Sequence, residues 1–258
     1  MVLEPEIYLK IIFKENREMN VTIRKISGID DAIDTMFISK RTWTPELEQD
    51  IYDTCSRVLD RNGFIKEDVN EDDYTKFSKW MDSLVKFGKK HITMLRYIDF
   101  SCTVDGLHRA GQDDWDAHAK RYDNRIIRSS TRLADFGYEM SDFYKGKIIP
   151  TDLALQELNI EIPETIEIDG QIYVKAINGY IREDLKNNKD VKRGLYMLSI
   201  PSTFVFKCNI TEFAHVYKER GQHGTANPEV KECAELIVDQ LENLCKWFNR
   251  VLFMSIQN

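Results

Sequence analysis

The sequence predicts an α+β fold, a mixed single domain with a small antiparallel sheet packed on long helices. Three observations carry this. Residues 21–26 and 98–104 alternate apolar and polar side chains with the period of half-buried strands. Residues 44–61, 74–90 and 230–248 carry apolar stripes at helical spacing, and two of them open on clear start signals, Thr44-Pro45-Glu46 and Asn227-Pro228-Glu229. Asp169-Gly170, flanked by Ile166-Glu167-Ile168 and Gln171-Ile172-Tyr173-Val174, is a strong hairpin signal.

In chain order, residues 6–14 also alternate, so a strand pair is predicted over residues 6–26. A helix over residues 30–39 starts from Ile29-Asp30-Asp31. The next, capped by Thr44 with Pro45 at its first position, runs to about residue 61, where Asn62-Gly63 breaks it. Asp60-Arg61-Asn62-Gly63 is no calcium loop, because its glycine comes too early and its closing acid is misplaced. Residues 67–73 read as an acidic loop. Phe77, Trp80, Met81, Leu84 and Phe87 then mark one face of a helix over residues 74–90. Ile98, Phe100, Cys102 and Val104 form a strand, and Asp105-Gly106 turns it into a helix beginning near Leu107. A short helix is expected over residues 148–158, the hairpin over 164–175, and a helix over 176–188. In residues 204–217 the apolar set Phe204, Val205, Phe206, Cys208, Phe213, Ala214, Val216 and Tyr217 fits a buried helix of about four turns, with Asn209 and His215 embedded in it. Residues 221–226 form a loop before the last helix.

Composition narrows the class. The formal net charge is -7, which argues against a general binder of nucleic-acid polymers, since that needs a basic face. It leaves room for a nucleotide monophosphate, which a few local arginines can hold. Cys55, Cys102, Cys208, Cys233 and Cys245 form no C-x-x-C pair and fit reduced, buried thiols. No zinc or other metal site is expected. No apolar run reaches membrane-spanning length and no basic n-region precedes an apolar core, so a cytoplasmic protein without membrane attachment is expected.

Arg193 precedes the apolar run of residues 204–217 and Arg220 ends it. An arginine, a Leu/Ile-Pro segment, an aromatic run with a central Asn, a terminal arginine and a His-containing loop resemble the C-terminal signature of the flavin-dependent thymidylate synthases. Arg193, Asn209 and Arg220 stand on that pattern without a gap between them. The family's V-L-P is Tyr196-Met197-Leu198 here, with Pro201 displaced. Its A-Q-x-E-I is Ala226-Asn227-Pro228-Glu229-Val230, with one residue inserted before it. Residues 87–111 resemble the family's first signature, G-H-x-T-P-F-E-H, then a strand, then I-E-G-x-S-R-A. His91 and Thr93 stand on the first His and Thr, and Val104-Asp105-Gly106 with Arg109-Ala110 match the helix entry. Arg96-Tyr97 replaces the family's Glu-His. The third signature, R-H-R, seven residues, Ser, one residue, Arg-Tyr, is met in spacing by Lys120-Arg121-Tyr122, Ser130 and Arg132, given a few residues inserted around Asp113 to Asp116. Ala117-His118-Ala119 is a competing match for the triplet. The first match keeps the positive charge that phosphate groups require.

The resemblance covers residues 20–250. It implies an enzyme that methylates dUMP to dTMP, with FAD as cofactor and NADPH and methylenetetrahydrofolate as co-substrates, in a homotetramer whose sites draw on several subunits. It assigns Ser130, Arg132, Arg193 and Arg220 to the substrate, with Arg220 the catalytic residue. His91, Thr93, Lys120, Arg121, Tyr122, Asn209 and His215 fall to the cofactor. The hairpin of residues 164–175 has no counterpart in the family pattern. The residues alone supply less. No cysteine has a recognisable His or Arg partner, so a covalent thiol mechanism is not suggested. There is no Gly-rich dinucleotide fingerprint, so a flavin must be held by scattered side chains. An Asn or His in an apolar helix is more commonly a satisfied core group, and flanking arginines are more commonly surface ion pairs. Arg96-Tyr97 and the altered triplet leave two alternatives open: a related pyrimidine-nucleotide-modifying flavoenzyme such as a hydroxymethylase, and a non-catalytic nucleotide-binding oligomer that has lost flavin.

Overall fold

The computed structural model describes residues 19–88, 90–118, 125–130, 139–144, 146–222, 226–244 and 246–250. The chain forms two compact units: a larger one of Asn20–Asp105, Gly111–Ile127 and the chain from Phe204 onward, and a smaller one of Gly106–Ala110 and Arg128–Thr203. The α+β class holds, with small antiparallel sheets beside long helices.

The larger unit is built on a sheet of order β1-β2-β7-β3, with β1 Asn20–Ser27, β2 Asp99–Asp105, β3 Arg125–Arg128 and β7 Phe204–Asn209. Its register explains its stability. Val104 lies opposite Val21 and Phe204, Cys102 opposite Ile23 and Phe206, and Phe100 opposite Ile26 and Cys208. Directly opposed residues share a face, so three strands present one continuous apolar surface, and all nine of these side chains are buried. Burial of each of the larger ones contributes roughly 1.5–3 kcal/mol. The register of β1 shifts between Ile23 and Lys25. This bulge keeps Ile26 on the buried face and leaves Arg24 and Lys25 exposed.

Three helices pack together beside this sheet: α1 Ile29–Ser39, α2 Pro45–Val58 and α3 Glu71–Gly88. Gly28 caps α1 in the left-handed region at φ 75°, and a Cβ there would lie 2.0 Å from the Tyr97 carbonyl oxygen. Thr44 caps α2, its Oγ1 accepting from the Leu47 N–H at 3.2 Å, with Pro45 at the first position as expected. α3 starts earlier than the sequence suggested, inside the expected acidic loop. Asn70 Oδ1 accepts from the Asp72 N–H at 2.8 Å, and three acids in the first turn suit the positive end of the helix dipole.

The segment over residues 204–217 corrects the sequence reading. It is not one helix but strand β7 followed by a helix, Ile210–Val216. Phe204, Phe206 and Cys208 face inward while Lys207 is exposed, a period of two that an apolar-rich window conceals. Residues 176–188 likewise do not form a helix. They hold strand β6, Gly179–Arg182, and a 3-10 turn, Glu183–Leu185, because Asn178 takes φ 58° and turns the chain back.

In the smaller unit, β4 Thr165–Ile168, β5 Gln171–Ala176 and β6 make an antiparallel sheet in that order. Asp169 and Gly170 have φ 51° and 75°, the pair of positive values that a type I′ hairpin needs. The expected hairpin is therefore present, within a three-stranded sheet. The expected strand over residues 6–14 lies outside the described residues, and β1 pairs with β2. Helix α4, Arg109–His118, begins two residues later than expected, and α5, Thr151–Glu157, fills the expected short helix. The helix Ile210–Val216 is hereafter α6, and the last helix, Pro228–Leu244, α7, with Asn227 Oδ1 accepting from the Glu229 N–H at 3.0 Å.

Candidate functional site

In the larger unit the residues of interest gather where β2 begins and β7 ends. Asp99 stands opposite Asn209, and the Ile210 N–H donates to the Ile98 carbonyl at 2.8 Å. Just before β2 the chain makes a 3-10 turn, Ile92–Tyr97, which packs against α1 and α6. His91 precedes that turn. Its ring is exposed and stacks on Phe87 at 4.5 Å between centroids, tilted by 28°. The Lys40 ammonium lies over the same Phe87 ring at 4.9 Å. Burial and the neighbouring charge of Lys86 hold Lys40 below the usual lysine range. Thr93 and Arg96 are exposed, and Tyr97 is 52% exposed. Arg96 and Tyr97 therefore sit on an open surface, where neither side chain serves the core.

Asn209 is 4% exposed, and its place follows from the strand–helix junction. Its Oδ1 accepts from the Glu212 N–H at 2.9 Å and from Thr211 Oγ1 at 2.6 Å, which makes it the N-cap of α6. His215 is exposed on the last turn of that helix. After α6 the chain widens into a π-turn, Tyr217–Gly221, with the Gln222 N–H donating to the Tyr217 carbonyl at 3.0 Å. Such widened turns concentrate at functional sites. Arg220 lies in it, and its Nη2 donates to Asp114 Oδ1 on α4 at 2.9 Å. The face of α4 that carries Trp115 locks this helix down. Trp115 is 1% exposed and its ring packs on Phe206 at 5.4 Å and Phe213 at 6.2 Å. Asp114 was missed in the sequence. The only signal for it was an acidic pair beside a buried tryptophan. Asp113 to Asp116 continue α4 without a break.

The smaller unit carries Ser130 and Arg193. Ser130 is half-buried beyond Ser129, whose N–H and hydroxyl both donate to the Thr203 carbonyl. Arg193 opens a 3-10 turn, Arg193–Leu195. The expected sites Lys120, Arg121, Tyr122 and Arg132 lie outside the described residues. Within the larger unit, then, the structure collects the turn after His91, the Asn209 cap and the Arg220–Asp114 pair around α6. Ser130 and Arg193 belong to the other unit.

Burial pushes the thiols of Cys55 and Cys102 up to about 12. It pushes those of Cys208 and Cys233 well above the usual cysteine range. These four are neutral packing groups at physiological pH, unsuited to nucleophilic attack. Among the described residues no group of three or more His, Cys, Asp or Glu could hold a metal ion, and no helix is long and apolar enough to cross a membrane.

No protein-family profile and no curated protein sequence matches the chain. Solved structures do. A thymidylate synthase X (ThyX) of Helicobacter pylori, solved with FAD and dUMP, superposes with a TM-score of 0.52 at 11% identity, covering 93% of this chain and all of the other. A second structure, a flavin-dependent thymidylate synthase ThyX of the same organism complexed with FAD and dUMP, gives 0.49 at 11% identity, covering 90% of this chain and 97% of the other. The chain thus has a ThyX-like fold.

Proposed function

We propose that this chain is an FAD-dependent thymidylate synthase-like enzyme that methylates dUMP to dTMP with methylenetetrahydrofolate and NADPH. The observation that carries the reading is the fold likeness along 93% of the chain to a ThyX solved with FAD and dUMP, joined to the unbroken spacing of Arg193, Asn209 and Arg220. Bound flavin would supply the hydride relay. The chain's own residues would bind and orient. Arg193 and Arg220 grip the uridylate, and Ser130 and Arg132 complete its phosphate cradle with charge-assisted hydrogen bonds. His91, Thr93 and the triplet Lys120-Arg121-Tyr122 hold the cofactor, with Asn209 and His215 at its border. The exposed His91 ring on Phe87 fits a planar ring system. The buried, neutral thiols agree with a route that uses no cysteine nucleophile. We read the enzyme as a cytoplasmic single-domain homotetramer.

The test is NADPH oxidation in the presence of FAD, dUMP and methylenetetrahydrofolate, with analysis of the nucleotide product. Formation of dTMP is expected, at a rate reduced by Arg96-Tyr97 and the altered triplet. The absence of both dUMP binding and flavin binding would overturn the reading. A second reading is favoured by the open placement of Arg96 and Tyr97: a nucleotide-binding oligomer without flavin. It predicts a colourless protein that binds dUMP and cannot be reconstituted with FAD.

A further inference from the structure

The larger unit contains a cavity of about 230 Å³ between the end of β1, the start of α1, the outer face of α2 and the loop that follows it. It involves none of the residues assigned to nucleotide or flavin and is independent of that reading. Its walls are built by backbone. Gly63 takes φ 81°, and a Cβ there would lie 2.1 Å from the Ile26 carbonyl oxygen. Gly28 on the opposite wall is equally closed to a side chain. The Ile26 N–H donates to the Asn62 carbonyl at 2.7 Å, pinning the loop to the strand. The bulge in β1 matters here, because it turns Lys25 outward onto the rim.

The chemistry of the lining is mixed. Ile29 and Cys55 are buried beneath it, and Tyr52 forms one wall. Tyr52 is held in place by the hydrogen bond from its hydroxyl to Asp31 Oδ1 at 2.8 Å. Asp60 is already committed, its Oδ1 accepting from the N–H groups of Asn62 and Phe64 at 2.8 and 2.9 Å. Asp30 is different. It accepts from N–H groups of its own helix start and is in no ion pair among the described residues; Asp31 on that helix and Tyr52 and Cys55 on α2 couple to it electrostatically. Partial burial pushes its carboxyl above the usual carboxylate range. On the other side, Lys25 and Arg61 line the same cavity, and among the described residues neither is in an ion pair. Two acids and two bases thus line one small cavity: Asp60 is tied to backbone N–H groups, while Asp30, Lys25 and Arg61 are in no ion pair among the described residues. A partly buried acid in a cleft whose rim carries two cations outside any described ion pair suits a ligand bearing both charges.

We propose that this cavity binds an amino-acid-like zwitterion, its ammonium on the Asp30 carboxylate and its acid group on Lys25 and Arg61.

The test uses the full chain and γ-aminobutyrate as the probe, with butyrate and butylamine as singly charged controls, followed by saturation-transfer NMR. γ-Aminobutyrate is expected to bind, and each control at least tenfold more weakly. Asp30→Asn and Arg61→Ala should each weaken γ-aminobutyrate at least tenfold. Circular dichroism checks folding. If Asp30→Asn unfolds, Ser56→Trp serves instead, because Ser56 is exposed at the cavity and a large ring there closes it without touching the helix start. No binding of the zwitterion at millimolar concentration overturns the proposal. So do equal binding of the three probes and binding unchanged in folded variants.

Discussion

The Arg220 guanidinium donates to the Asp114 carboxylate at 2.9 Å across 106 residues of sequence, tying the π-turn after α6 to the helix that carries Trp115. The arginine side chain is 20% exposed and the aspartate 36%, so the pair lies between a surface bridge and a buried one. A charge-assisted bond in that setting contributes about 1–2 kcal/mol. Asp114→Asn should therefore lower stability by about that much. It should also loosen dUMP binding, because a positioned guanidinium is lost even though the arginine remains. Denaturant unfolding and calorimetry with dUMP check the two effects. A variant as stable as the parent, with unchanged dUMP affinity, would show that the pair positions nothing.

Asn209→Ala removes the cap of α6. Loss of an N-cap costs about 0.5–2 kcal/mol, and here the Glu212 N–H would be left without its acceptor. The variant should unfold at lower denaturant with the same slope. Asn209→Asp, which can still cap, should recover most of that stability. If both variants lose FAD affinity while Asp regains stability, capping and cofactor contact separate cleanly.

Arg193→Ala should abolish or strongly weaken dUMP binding and leave the fold intact. A desolvated arginine–phosphate contact contributes about 2–3 kcal/mol. Unchanged dUMP affinity by calorimetry in a folded variant removes Arg193 from the substrate site.

Asp34 gives a pH dependence with a definite sign. Asp34 is 9% exposed and its Oδ1 is buried without a hydrogen-bond partner; burial, with the nearby charges of Glu48 and Asp31, raises its carboxyl above the ordinary value of 3.8 against the opposing effect of a hydrogen bond with Trp43. The folded state therefore binds this proton more tightly than the unfolded state. Its contribution to stability is fully present below 3.8 and is lost as pH rises through the higher folded value. Asp30 acts in the same direction. Asp34→Asn should raise the melting temperature at neutral pH and leave it nearly unchanged at acid pH. Melting curves across that range decide it, and an equal shift at every pH contradicts a titration at this site.

Much of this architecture is local, and local physics makes it legible in sequence. Thr44-Pro45, Asn227-Pro228 and Asp169-Gly170 mark a helix start, a second helix start and a hairpin because the caps and the positive φ values are satisfied by residues one to three positions away. The β2 alternation is likewise visible in Phe100, Cys102 and Val104. Residues 204–217 show where this ends. Phe204, Phe206 and Cys208 are apolar enough for a buried helix, and only pairing with Val104, Cys102 and Phe100 selects a strand. That choice in turn made Asn209 a cap rather than a polar residue inside a helix. Arg220 was visible as a candidate, but its partner Asp114 was not, because an ion pair across 106 residues leaves no mark of spacing in the chain. The sequence by itself determined where most elements start and turn. Tertiary structure decided which apolar run became a strand and which charges met, because hydrogen-bond ladders and ion pairs between distant segments depend on the packed chain.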